Sequence, residues 1–198
     1  MIITSDRDAF AHISDHTSVL RLINGGINAS PLLTPSRLNA MYGVAAENYL
    51  AFAALRGDSS DNLPGVPGIG EKTAPILLDV MGTMDAVWAD IEHNDGRALV
   101  AALDSWAEET SNRRIGNALR TRLSAPGARE RYEFNVRLMA GRDDLDLGFT
   151  PDVPGSPGLL PLDVDRVSRV VGHLNVQATT DLAVRVLTSA PASSVVER

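Results

Sequence analysis

The 198-residue chain contains no cysteine and one lysine, Lys72, so its other 17 basic residues are arginine. Lack of cysteine excludes disulfides, thiolate zinc sites and cysteine nucleophiles, and it suits a reducing cytoplasm. No run of about 18 apolar residues occurs, which excludes a transmembrane helix. The opening MIITSDRDAF carries no apolar stretch of the kind a secretory signal needs. What the chain does have is 44% hydrophobic residues, enough for a packed core that buries about 70% of the unfolded surface.

The net charge of −7 argues against a polyanionic partner only if it is spread evenly, and it is not. Residues 1–57 balance to zero and residues 58–110 carry −9. Residues 111–142 carry +6 through eight arginines, and residues 143–198 carry −4. Such a chain can hold metal with one block and phosphate with another, although solvated helix faces give the same pattern.

Met1 to Thr4 and Ser18 to Ile23 read as strands, with a short helix over 8–14 between them. Thr34-Pro35 starts a helix that Gly43 stops, and another runs from about Ala45 to Arg56 with Gly57 as its end. The stretch GDSSDNLPGVPGIG (Gly57 to Gly70) is too rich in glycine and proline for regular structure. Helices are then predicted at Lys72 to Val80, 83–92, 96–109, 111–124 and 128–140. A Pro/Gly-rich loop follows at 150–161, then helical patterns around 164–174 and 182–187, and a frayed tail. The fold class is mainly α with a small β component in the first 25 residues.

Two aspartate pairs carry chemical interest. Asp6 and Asp8 lie two apart at the end of a predicted strand and so point to one face. Asp58 and Asp61 lie three apart in a turn or first helical turn. Four converging carboxylates need a cation, and an all-oxygen set suits Mg²⁺ or Mn²⁺. Each pair alone more often serves as a cap or Asx-turn. Between two helices, Leu63 to Gly70 gives tight backbone turns, and the helix opening at Glu71-Lys72-Thr73 offers free N–H groups to an anion. Together they form a cradle for a nucleic-acid phosphate, or a hairpin that merely reverses the chain. Gly65 to Thr73 is no P-loop, because Glu71 intrudes before Lys72 and no strand precedes it. Among the arginines, Arg113, Arg114 and Arg120 are the candidate secondary phosphate contacts.

The segment GDSSDNLPGVPGIGEKTA (Gly57 to Ala74) closely resembles the signature of the 5′–3′ exonuclease and flap endonuclease family. TSDRDAFAHISDHTSVL (Thr4 to Leu20) is similar to that family's strand with two metal-binding aspartates. RLMAGRDDLDL (Arg137 to Leu147) is more loosely similar to its later helix-to-acid junction. The resemblance implies the C-terminal part of a PIN-like α/β nuclease fold with a helix–hairpin–helix module. It assigns Asp6, Asp8, Asp58 and Asp61 to the second metal cluster. It also assigns Gly65, Val66, Gly68, Ile69, Gly70, Lys72 and Thr73 to the DNA-binding hairpin, with potassium on its carbonyls. The implied organisation is a nuclease-core remnant (1–57), metal pair and hairpin (58–80), helical DNA-binding subdomain (81–148), C-terminal helices (149–188) and tail (189–198). The implied activity is metal-dependent phosphodiester hydrolysis at 5′ ends or flaps of duplex DNA, in a bacterial or phage-infected cytoplasm near the nucleoid. Family members carry a first aspartate-bearing strand, a basic arch and a first acidic cluster ahead of the matching segment. Cleavage is therefore expected to need an N-terminal nuclease half, and a DNA polymerase is a second implied partner. The alternative is a non-catalytic DNA-binding or accessory module.

Overall fold

The computed structural model describes residues 1–142, 144–146, 164–174 and 176–188. The loop expected at 150–161, the tail from 189 and Asp143 lie outside the described residues. Chain contacts define two units, Met1–Asp143 and Asp144–Arg198.

In the first unit, β1 (Ile2–Thr4) runs parallel to β2 (Val19–Arg21), and β3 (Leu32–Leu33) adds to β2 antiparallel. β-structure is thus not confined to the first 25 residues. A second pair, β4 (Gly57–Asp58) with β5 (Leu63–Pro64), lies inside the stretch whose composition spoke against regular structure. Four residues make up that ladder, with Pro64, which has no N–H to donate, at its end.

Helix α1 (Pro35–Tyr42) starts as expected: Thr34 Oγ1 accepts from the Arg37 N–H, and Gly43 in the left-handed region ends it. The helix expected over 45–56 is broken into a 3₁₀ turn (Ala46–Asn48) and α2 (Tyr49–Arg56). At the break, the Asn48 N–H donates to the Ala45 carbonyl at 3.0 Å, and its side-chain amide donates to the Gly82 carbonyl at 3.0 Å. Helices α3 (Ala74–Met81), α4 (Met84–Asn94), α5 (Arg97–Glu109), α6 (Gly116–Leu123) and α7 (Ala128–Met139) follow. Helix α6 is shorter than the 111–124 predicted, because residues 111–115 form the turn into it. Asp90 on α4 receives the Leu99 N–H at 2.8 Å and the Ala98 N–H at 3.3 Å, which caps α5 in place of its own Gly96.

The core holds Phe10, Tyr49, Phe52, Leu55, Leu77 and Leu119, all nearly inaccessible. Phe10, Tyr42, Tyr49 and Phe52 pack as a ring cluster with centroids 5.5–6.3 Å apart. This cluster sets the first half of the unit against α2, whose C-terminal end carries the candidate site. Trp88 is buried and Trp106 half-buried. In the second unit, α8 (Val164–Val171) and α9 (Gln177–Thr188) pack on each other. No helix among the described residues is long and apolar enough to cross a membrane.

Candidate functional site

The site is built on the last turn of α2. Gly57 follows it at φ +79 and swings the chain into β4. Returning along β5, Gly65 lies so close to the helix that its missing side chain is essential. A Cβ there would stand 2.2 Å from the Arg56 carbonyl oxygen and 2.4 Å from that of Leu55. The Val66 N–H then donates to the Leu55 carbonyl at 2.8 Å, so the loop is stitched to the helix end. A cleft of about 480 Å³ opens here, lined by Arg7, Arg56, Asp58, Ser59, Asn62 and Gly65 among others.

Asp6 and Asp8 come together by a different route from the one their spacing suggested. Strand β1 ends at Thr4, and Asp8 opens a 3₁₀ turn (Asp8–His12). The pair is linked by a turn in which Asp6 Oδ1 accepts the Asp8 N–H at 3.1 Å. Asp58 is also tied into an Asx-type turn, accepting the Ser60 N–H at 2.9 Å together with the Ser60 hydroxyl. Those bonds, the hydroxyl first, hold its carboxyl below the usual range. Asp8 is pushed the other way, by burial first and then by the charges of Asp6, Asp61 and Asp58. All four carboxylates therefore act within one electrostatic neighbourhood, and their chemistry suits a hard divalent cation. Among the described residues, however, no three acidic or histidine side chains are gathered closely enough to share an ion.

Asp8 gives a direct stability test. A carboxyl whose pKa is raised by folding contributes stability below its unfolded value and loses it as pH rises through the folded value. At neutral pH Asp8 is thus a liability. Asp8→Asn is expected to raise the melting temperature of the metal-free protein by about 1–3 °C at pH 7. The gain should vanish near pH 3, and a melting temperature that falls at pH 7 would contradict the clustering. Asp58 has the opposite sign, its contribution being present at neutral pH and lost as pH falls through its lowered value.

Beyond Gly65 the loop divides its groups between core and solvent. Val66 and Ile69 are buried at 2% and 3% exposure, and the Ile69 N–H donates to the Val66 carbonyl. They anchor the loop from the core side, so their side chains are not offered to a ligand. Thr73 Oγ1 accepts the Gly70 N–H at 3.1 Å, and Gly70 O accepts from the Thr73 and Ala74 N–H groups. The helix accordingly begins at Ala74, not at Lys72. Among the described residues, the N–H groups of Gly68, Glu71 and Lys72 are left without an internal acceptor, and Lys72 is exposed beside them.

Three residues that sequence reasoning passed over shape the site. Arg56 stacks over Phe52 at 5.0 Å and donates from Nε to the Gly57 carbonyl. Arg7 lines the same cleft, between Asp6 and Asp8 in sequence. The signal for both was adjacency to the aspartates. Asn135, fully buried on α7, donates from Nδ2 to Ala54 O at 2.9 Å and Pro64 O at 3.0 Å. It pins α2 and β5 together from a third element, and a lone buried amide within α7 was its only trace in the sequence.

The arginines of residues 111–142 meet different partners. Arg114 pairs with Glu108, and Arg120 pairs with Asp95 at 3.2 Å. Arg113 is exposed in the turn before α6. The arginine that reaches the loop is Arg122, whose Nη1 donates to the Gly68 carbonyl at 2.8 Å.

Residues 44–151 match the sequence profile of the family described as 5′-3′ exonuclease, C-terminal SAM fold. The chain is 34% identical over 181 residues to DNA polymerase I of Mycobacterium tuberculosis, covering 91% of this chain and 17% of that protein. It is 31% identical over 190 residues to DNA polymerase I of Mycobacterium leprae, covering 96% of this chain and 18% of that protein. It thus spans less than a fifth of these relatives. Among solved structures, the catalytic core of Rad2 in complex with DNA substrate superposes with a TM-score of 0.45 at 18% identity. That superposition covers 94% of this chain and 54% of that one. With its mainly helical architecture and the matched residues 44–151, the chain belongs to the 5′–3′ exonuclease family and carries that family's C-terminal SAM fold.

Proposed function

We propose that this chain grips duplex DNA near a 5′ end or flap by its phosphate backbone, as the helix–hairpin–helix part of a metal-dependent 5′-nuclease. The observation that carries this reading is the pinning of one loop to one helix end. The Asp58 turn and the uncommitted N–H groups at Gly68, Glu71 and Lys72 belong to the same stitched segment. A strand held by those donors and the Lys72 ammonium passes the carboxylate cluster, and nothing in that set reads a base edge. Asp6, Asp8, Asp58 and Asp61 would hold Mg²⁺ or Mn²⁺. Such an ion, when bound, supplies activation of water and stabilisation of the departing oxygen. Arg7 and Arg56 temper the negative charge of the cleft, so that a phosphate can approach it.

Binding is tested by fluorescence anisotropy on a labelled duplex with a 5′ flap. Affinity should fall steeply with salt and barely change with sequence, and Lys72→Ala should weaken it and lower the salt slope by about one. A salt-insensitive interaction, or none, would overturn the reading. For cleavage, the same flap is incubated with Mg²⁺ or Mn²⁺ and wild type compared with Asp58→Ala. Loss of cutting with binding retained supports the nuclease assignment. A second reading, a binding module that completes its metal centre with acids from another nuclease segment, is favoured by the absence of a three-acid group among the described residues. Binding without cleavage by the wild type selects it.

A further inference from the structure

Arg56 is the last residue of α2, where a cation suits the negative end of the helix dipole. That role asks only for a charge near the helix end, and Arg56 is held more closely than it requires. Its guanidinium lies over the Phe52 ring at 5.0 Å, and Nε donates to the Gly57 carbonyl at 3.1 Å. The buried Tyr49 hydroxyl lies beside it, pushed up to about 12 by burial first and drawn back by the arginine. Ring, carbonyl and phenol leave this side chain little freedom to lose on meeting a ligand. The charge of Arg56 reaches both Asp8 and Asp58. Yet among the described residues no carboxylate lies within ion-pair distance of it. It is a fixed cation that no internal anion answers, and it lines the cleft with Arg7, Ser59, Asn62 and Glu71. Glu71 belongs both to that cleft and to the segment whose Gly68, Glu71 and Lys72 N–H groups have no internal acceptor, so the two are contiguous.

We propose that Arg56 binds one phosphodiester group directly, next to the carboxylate cluster, while Lys72 and the loop N–H groups bind another along the same strand. The assignment rests on the DNA-binding reading above and goes beyond it in giving one side chain one linkage. A planar guanidinium matches two phosphate oxygens at once, which the compact ammonium of a lysine does not. Four carboxylates repel a phosphate, and a cation already oriented among them offsets that repulsion where the strand has to pass. Arg7 shares the cleft, but among the described residues no ring or carbonyl holds its side chain.

Methylphosphonate substitution tests the assignment, because it removes the charge of a single linkage and leaves the others in place. A labelled 5′-flap duplex is made as a series, each member neutral at one linkage around the junction. Affinity is measured by fluorescence anisotropy without divalent ions, so that no cutting intervenes. Wild type should lose about tenfold at each contacted linkage, the size of one charge-assisted contact. Arg56→Gln should bind the unmodified duplex about tenfold more weakly and become indifferent to neutralisation at one linkage, which Lys72→Ala still senses. Arg56→Lys should keep part of the sensitivity at that linkage. Melting is followed for every variant, and Arg56→Met, which keeps an unbranched stem over Phe52, gives the same reading if Arg56→Gln does not fold. An Arg56→Gln pattern that matches wild type at every linkage overturns the proposal, even with weaker binding throughout, since a loosened helix end weakens all linkages alike. Arg56→Gln and Lys72→Ala flattening the same linkage overturns it as well. A wild type that binds no duplex removes this assignment and the DNA-binding reading together, whereas the other two results leave that reading standing.

Discussion

Gly65→Ala is expected to destabilise the protein by about 3 kcal/mol or more and to lower its melting temperature by roughly 6–12 °C. The reason is distance. The three atoms an added Cβ would meet lie 2.2–2.4 Å away, and all are backbone: the carbonyl oxygens of Leu55 and Arg56 and the carbonyl carbon of Arg56. No side-chain rotation relieves such an overlap, so the loop must lift from α2. Lifting breaks the bond from the Val66 N–H to the Leu55 carbonyl and loosens the pairing of β4 with β5. Thermal melting by circular dichroism measures the loss, and Gly70→Ala is the matched control. At Gly70 no atom lies within 4 Å of an added Cβ and φ is not positive, so that variant should stay within about 0.5 kcal/mol of wild type. Two variants melting together would remove the argument that close approach is what the first glycine of the loop is for.

The second large effect is expected at Asn135. Its amide nitrogen donates to Ala54 O and Pro64 O, and because both neighbours are acceptors the orientation of the amide is fixed by them. Asn135→Leu keeps the volume and removes both donors, leaving the Ala54 carbonyl buried without its partner at a cost of about 2 kcal/mol. Asn135→Asp is expected to be worse at pH 7, since it buries a carboxylate against two carbonyl oxygens. The sign then follows from linkage. The folded state raises the pKa of that carboxyl, so stability lost at neutral pH returns as pH falls and the protonated acid can donate. Denaturant titrations of both variants at pH 7 and pH 4.5 check this. A leucine variant as stable as wild type would show that the amide is not a fastener.

Local features of this site were legible in the sequence, and remote ones were not. The Asp58 turn, the glycines and the exposed Lys72 occupy one short stretch, and their residue types announce turns, close approach and charge. Asp6 and Asp8 were legible as a pair, but their geometry was not. A strand ending at Thr4 replaces side-chain alternation by a turn in which one carboxylate binds the other residue's N–H. The helix start moved from Lys72 to Ala74 because Thr73 was drawn back to the Gly70 N–H, a local competition that a hydrophobic pattern does not register. Arg122 and Asn135 act across 54 residues and across 71 and 81 residues respectively. Such roles arise only when α6 and α7 fold back onto the loop, and no spacing rule within a helix encodes them. Which of the eight arginines touches the loop is likewise a matter of the fold, which places Arg122 on Gly68.

The stitched loop has a thermodynamic consequence. A segment this rich in glycine and proline, if free, would surrender about 1–2 kcal/mol per residue of backbone entropy on being ordered by a ligand. Here Val66 and Ile69 are in the core, the Val66 N–H is bound to Leu55, and Asn135 holds Pro64. Its amides should therefore exchange with solvent on the timescale of α2 rather than that of a surface loop. A ligand meeting such a segment finds it already ordered, and the entropy that ordering removes is lost at folding rather than at binding.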